Sequence, residues 1–512
     1  MGMGCRGQFS NTTLPDPRPS DSAFNDRLRA QHLISSPQAA SHHGHRRHLQ
    51  ATALPLPPPQ NPLIARTALL HALHLSQQSK YLDLRTELII AVTRSYINTS
   101  QHRSISSTQK LLAHDPGIQG KIWISKYASP AEPALKDAVA SAIRGLSTTP
   151  SARQQAEAEL QQTSTSWEPA AVEAEWTGYR AAATHKSRPP EGMSERDRYD
   201  AMMGEVKTPV TVLYFHGGAY WLMDPATHRA TTKKLAKLTG GRCYSVRYRL
   251  APQHAFPAAL IDALASYLTL LYPPPGAFHE AVQPEDIVFS GESAGGNLSL
   301  ALLQLLLQLR RQSLPITWHS HTYPSIPLPA GVAVNSPWMD ITQSLPSCET
   351  NAPFDYLPGL AAQDAANSTR AVCAAWPSTP PRRSIYAPDA FVTHPLVTLL
   401  LADSWAGSPP LYLCTGWELL ADEDKYTAKK FWGMGCGWCL RRGDGASRFT
   451  LVKARTLEEV SLDPEGLSPY TKETIKERVE QRVRMGAGVP VEGPAGEGVA
   501  ESVVAMEGMA KL

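Results

Sequence analysis

No histidine follows His394 in this chain of 512 residues, although it holds 17 in all. Everything C-terminal to that point therefore lacks an imidazole to serve as base, acid or metal ligand. Long apolar runs are also missing. No stretch of roughly 18 apolar residues occurs, so no membrane span is expected. Met1 to Asn11 has no apolar core of signal-peptide length, and position 6, where N-myristoylation wants Ser or Thr, is Arg6. Neither sign of charge dominates: 49 Lys and Arg face 46 Asp and Glu, a formal net charge of +3 that argues against nucleic acid as the main partner. Cysteines are few. The seven are scattered, which fits reduced thiols inside a cell and a cytoplasmic location. Cys436-Gly437-Trp438-Cys439 has redox-motif spacing but lies in a Gly-rich stretch, with no second pair and no later histidine to complete a zinc site. No metal and no cofactor is expected.

What is present falls into four parts. Residues 1–80 are rich in Ser, Pro, His and Gln and read as mostly unstructured, with a short helical pattern at Leu63 to Leu75. The cluster His42-His43-Gly44-His45-Arg46-Arg47-His48 has no carboxylate or cysteine nearby, so it reads as a solvated tail before it reads as a metal site. Residues 81–205 read as a helical N-terminal and cap segment: Leu84, Leu88, Ile89 and Val92 share a face, as do Ala138, Val139, Ala142 and Ile143. Lys121 to Lys126 alternates like a strand between them, and Trp167 to Arg180 is mixed. From 206 to 484 strands alternate with helices. Val210–Phe215, Cys243–Tyr248, Ile287–Ser290, Gly331–Asn335 and Leu411–Cys414 are short apolar runs; Thr231–Leu238, Pro257–Leu271 and Leu298–Leu309 suit helices. This pattern predicts an α/β fold with a mostly parallel sheet covered on both faces, interrupted by a cap insertion at about 341–408. Residues 485–512 form a Gly-rich tail.

Two motifs carry chemistry. Gly291-Glu292-Ser293-Ala294-Gly295-Gly296 stands between a buried strand and a helix. That setting fits a strained turn which lifts the Ser293 hydroxyl clear of the sheet and points it at a helix N-terminus. His216-Gly217-Gly218-Ala219-Tyr220 closes the strand before it in the chain. The N–H groups of Gly217 and Gly218, joined by that of Ala294, can point at the oxygen that turns negative in a tetrahedral intermediate. His216 reads as a brace for this loop, since the residue ahead of the glycines points away from the nucleophile.

These residues resemble the hormone-sensitive-lipase branch of the α/β-hydrolases, the alpha/beta hydrolase fold-3 family. The likeness runs from about Leu82 to about Val483. It includes Tyr214 to Tyr220, Tyr248-Arg249-Leu250-Ala251-Pro252, Phe256-Pro257-Ala258-Ala259, Gly291 to Asn297, Ser336-Pro337-Trp338-Met339-Asp340 and Pro409-Pro410-Leu411-Tyr412. The resemblance implies an α/β-hydrolase fold with a helical cap. It also implies carboxylic ester hydrolysis through a Ser, acid, His triad and an acyl-serine intermediate, acting on a small-molecule ester. Where the family often reads Asp-Pro-Leu-x-Asp-Glu, this chain has Glu418-Leu419-Leu420-Ala421-Asp422-Glu423, so Glu418 falls on the acid and Asp422 is the fallback.

The family's histidine follows one more strand, and here none exists. The segment Gly433 to Cys439 and the basic run after it stand where the eighth strand, the histidine loop and part of the last helix belong. They are therefore expected to be missing or replaced by a short Gly/Cys-rich insert, as a splicing or gene-model error or a true deletion would leave them. His394 is the remaining substitute base. Two functions compete: an ester hydrolase impaired for want of a base, and a catalytically silent small-molecule binding protein on the same fold. Ala510-Lys511-Leu512 is a conservative variant of the Ser-Lys-Leu address, which makes the peroxisome the alternative to the cytoplasm.

Overall fold

Strand-forming runs rich in Val, Ile, Tyr and Phe recur at intervals too long for hairpins, and the helices between them supply the crossovers of a parallel sheet. In the computed structural model residues 60–434 are described except 102 and 380, together with 438–443, 457–459 and 468–485. The strands are β1 (Ile122–Ser129), β2 (Val172–Tyr179), β3 (Thr211–Phe215), β4 (Arg242–Val246), β5 (Ile287–Ser293), β6 (Ile316–Trp318), β7 (His321–Tyr323), β8 (Gly331–Pro337), β9 (Leu411–Thr415), β10 (Trp438–Gly443) and β11 (Leu457–Glu459). Nine of them form one sheet in the order β1-β2-β4-β3-β5-β8-β9-β10-β11, and β6 and β7 make a separate hairpin. From β4 to β10 all neighbours are parallel; β1 with β2, β2 with β4, and β10 with β11 are antiparallel.

The helices are α1 (Gln60–Ala72), α2 (Leu84–Gln101), α3 (Ile105–Leu112), α4 (Ala134–Leu146), α5 (Pro150–Gln162), α6 (Glu195–Met203), α7 (Arg229–Thr239), α8 (Ala258–Leu271), α9 (Ala294–Arg311), α10 (Ser347–Thr350), α11 (Leu360–Ser368), α12 (Ala421–Gly433) and α13 (Lys472–Arg484). Every residue of α8 is buried, which explains a helix apolar on all sides. α9, buried through Leu309, packs beneath β5 and β8 and fixes the turn that joins it to β5.

Two expectations need correction. Residues 81–205 are not only a helical N-terminal and cap segment, because β1 and β2 belong to the main sheet and add two antiparallel strands beyond β4. β2 was hard to read because Glu173 and Glu175 interrupt its apolar pattern. Glu175 is nevertheless buried, its charge met by Arg229 of α7 at 2.6 and 2.8 Å. The eighth strand is not lost either. The segment expected to be an insert supplies β10, which pairs in parallel with β9 from Trp438 opposite Leu411 to Arg442 opposite Thr415. Its Trp-Cys-Leu run favours strand, and pairing satisfies the open edge of β9. α13 follows, with Ile475 and Val479 buried. Cys436 and Gly437, the residues between β10 and β11, those from 460 to 467, the first 59 residues and Ala510-Lys511-Leu512 lie outside the described residues.

Candidate active site

Strand β5 turns directly into α9 at Ser293, whose backbone sits at φ 55°, ψ −121°. That region is costly for a residue with a side chain and persists only where its surroundings impose it. Here they do. A Cβ on Gly295 would overlap the Phe215 and His216 carbonyls, so β3 and α9 meet through glycine alone. The Ser293 carbonyl takes the Trp338 N–H at 3.0 Å, and the β5–β8 register slips at the same point.

Opposite this turn runs the loop from His216 to Met223. Gly218 adopts φ 109°, where an added Cβ would also overlap the Leu222 carbonyl. Its own carbonyl accepts the N–H groups of Trp221 and Leu222 at 3.0 and 2.8 Å. A Cβ on Gly217 would overlap the Glu292 carboxylate, so the loop lies directly against the elbow. Neither Gly217 nor Gly218 gives its N–H to a backbone carbonyl among the described residues. His216 is buried behind this loop, its ring stacked on Tyr248 at 4.4 Å and its Nδ1 donating to the Gly217 carbonyl at 2.7 Å. Burial, with the nearby His228 ring, drives its pKa down to about 3.

Tyr220 and Asn297 belong to motif blocks seen in the sequence, but their partners Gln109 and Tyr386 gave no signal there. Tyr220 donates to Asn297 Oδ1 at 2.5 Å and stacks on Tyr386 at 3.6 Å, while Asn297 Nδ2 donates to the Trp338 and Val397 carbonyls. Gln109 of α3 donates to the carbonyls of Trp221 and Ala251 at 3.0 and 2.9 Å, tying the N-terminal helices to the loop. Each contact spans a long stretch of sequence, so no local pattern announces it.

Ser293, Gly218 and Ala219 line a cavity of about 460 Å³. Ile97 and Leu112 come to it from α2 and α3, Tyr356 to Val392 from the insertion, and Arg482 and Val483 from α13. Glu418 lies outside the lining, 1% exposed, its Oε1 accepting from Ser336 Oγ at 2.5 Å and from Thr415 Oγ1 and the Gly416 N–H at 3.0 Å. Asp422 is committed elsewhere: it accepts the Ser347 N–H at 3.1 Å and faces Lys425 at 3.5 Å.

His394 does not join this group. Its Nε2 donates to the Ile143 carbonyl and its Nδ1 accepts the Leu396 N–H, both at 3.1 Å, and it is packed beside Phe256 and Phe391. Both nitrogens are used, and burial lowers its pKa to about 4. The notion of a substitute base at His394 is therefore corrected. Among the described residues that line the cavity there is no histidine.

The sequence model of the alpha/beta hydrolase fold family matches residues 212–445, which span the loop, the elbow and the acid position. That segment is an α/β-hydrolase. The motif blocks of the chain resemble those of the hormone-sensitive-lipase branch. An acetyl-hydrolase of Streptomyces hygroscopicus is 30% identical over 214 residues, 42% of this chain and 58% of the relative. An esterase of Acinetobacter venetianus is 31% identical over 168 residues, 33% and 48% of the two chains. The chain thus spans about half the length of the curated relatives it matches. A solved esterase from the bacterial hormone-sensitive lipase family is 25% identical at a TM-score of 0.39, covering 70% of this chain and 99% of its own.

Proposed function

We propose that the chain is a carboxylic ester hydrolase of the esterase and lipase type, with Ser293 as nucleophile and an acyl-serine intermediate. One observation carries the reading: Ser293, held at a strained backbone angle on the turn into α9, shares one cavity wall with Gly218. The oxygen of Ser293 attacks the ester carbonyl, the N–H groups of Gly217, Gly218 and Ala294 take the developing charge, and the alcohol leaves. Water then releases the acid. Glu418 is the acid of the design, but no histidine is among the described residues that line the cavity, so water takes the serine proton and returns one to the departing alkoxide. Losing the base costs several powers of ten in rate, and the oxyanion donors retain an acceleration of roughly a thousandfold. The substrate is a small-molecule ester. No described helix is long and apolar enough to cross a membrane.

A second reading, a binding protein that no longer turns over, draws on the absence of histidine from the described cavity wall. Labelling with a fluorophosphonate, together with turnover of a short-chain ester, separates the two. The esterase reading expects Ser293 to label and slow turnover to vanish in Ser293→Ala. Turnover no different between the two chains, with no label, leaves the binding reading.

A further inference from the structure

Three arginines line the cavity, and they are not equivalent. Arg482 Nη2 meets Asp364 at 2.9 Å, and Arg383 Nε faces Asp389 at 3.4 Å while its Nη1 donates to the Val483 carbonyl. Arg370 has no such counter-ion among the described residues. Its Nη2 donates to the neutral Asn367 Oδ1 at 3.1 Å, and its Nε and Nη1 are buried without an acceptor. The guanidinium lies 4.8 Å from the ring centre of Trp221, the residue whose N–H is bonded to the Gly218 carbonyl. A cation with no carboxylate partner among the described residues thus stands over the base of the oxyanion loop, on the wall of a largely apolar cavity. Folding gains little from a cation buried this way, since removing it from water is costly unless a partner offsets the loss. The other ionisable groups nearby do not cancel it. Glu292 faces His228 at 3.3 Å. Burial pushes the Cys373 thiol up, but hydrogen bonds from Ser106 and from the backbone at Ala375 and Trp376 outweigh this and bring it to about 7, so it is only partly anionic at neutral pH.

We infer that Arg370 makes this cavity selective for esters that carry a second, anionic group, of which a monoester of a dicarboxylic acid is the simplest. In a confined apolar cavity a fixed cation acts on an anionic ligand group with little screening. The inference deepens the esterase reading by naming a substrate class, and it rests on that reading for the bond that is cleaved but not for binding.

Binding is measured on the full chain by quenching of its tryptophan fluorescence, since Trp221, Trp338 and Trp376 line the cavity. The two probes are monomethyl adipate and dimethyl adipate, alike except for one charge. The monoester is expected to bind about tenfold more tightly, as a charge-assisted hydrogen bond would give. Arg370→Lys keeps most of that preference. Arg370→Met and Arg370→Gln lose it, with the diester bound as before. Cys373→Ser, which removes the competing thiolate, leaves the preference intact or larger. Equal affinities in the unaltered chain overturn the inference, as does a preference that survives Arg370→Met or Arg370→Gln or disappears in Cys373→Ser. Fluorophosphonate labelling run alongside keeps the two readings apart. Label without charge preference sinks the anion site alone, and charge preference without label sinks the esterase reading alone.

Discussion

At the scale of the residue, the chemistry of this site is set by which groups are already committed. Glu418 is a buried acid whose Oε1 collects three donors, the shortest from Ser336. Ser336→Ala removes one of three hydrogen bonds to a buried carboxyl group and leaves the other two, so the fold should lose about 1 kcal/mol, read as a fall in the urea midpoint. An unchanged midpoint would show that the hydroxyl does not support the carboxylate. His394 makes a different prediction. Its pKa in the folded chain, about 4, lies below the ordinary 6.5, so as pH falls the unfolded chain takes up the proton first. The stability that comes from keeping the ring neutral is complete above the unfolded value and declines as pH falls from 6.5 towards 4. The loss is on the order of 3 kcal/mol, at 1.36 kcal/mol per pKa unit. His394→Gln should cost stability at neutral pH yet flatten the difference between midpoints at about pH 7 and about pH 4.5. If the variant declines with acid as steeply as the unaltered chain, the buried ring is not the source.

Among the elements, β2 and α7 show what long-range pairing hides. Arg229 and Glu175 are buried together, 5% and 2% exposed, with the exposed Asp115 completing the cluster. Burial alone would lower the Arg229 pKa, but the carboxylates of Glu175 and Asp115 more than offset this and raise it. Arg229→Met strands the Glu175 charge and should destabilise the chain by about 3–5 kcal/mol, whereas adding Glu175→Gln recovers most of that loss. Equal denaturation midpoints for the single and double variants would contradict the pairing. The same pair explains the limits of reading the sequence. β3, β5, β8, β9, α4 and α8 were legible because each is patterned by its own burial, and α4 carries the face of Ala138, Val139, Ala142 and Ile143 that the periodicity predicts. β2 was not, since its inward charge makes sense only beside a residue 54 positions away. The elbow and loop were equally plain, because glycine is required wherever backbone meets backbone. Arg370, Gln109 and Tyr386 were not, since their roles come from contacts that the insertion and the N-terminal helices make across the cavity.

For the molecule as a whole, the question is whether a sheet that is continuous through β10 supports the proposed ester hydrolysis in a chain with no histidine after His394. The order β3-β5-β8-β9-β10 places Ser293 at the C-terminal end of β5 and Glu418 just past that of β9, with β8 between them, and the sequence after β10 carries no histidine. An external imidazole tests this. If the loop, the elbow and Glu418 are otherwise competent, free imidazole added to the unaltered chain should raise ester turnover. The rise should saturate with imidazole, exceed the rate of imidazole acting alone, and disappear in Ser293→Ala. Rescue will be partial, because a free ring lacks the orientation that tethering gives, and effective molarities for well-placed groups reach about 10⁵ M or more. Glu418→Gln should weaken the rescue, since an imidazolium formed in the reaction then has no carboxylate to face. Sequencing the transcript across codons 430 to 450 supplies the complementary result. A skipped or retained segment encoding a histidine would give a chain whose turnover no longer responds to imidazole, while a rate that imidazole leaves unchanged in the present chain would place the defect in the arrangement of the site and not in the missing base.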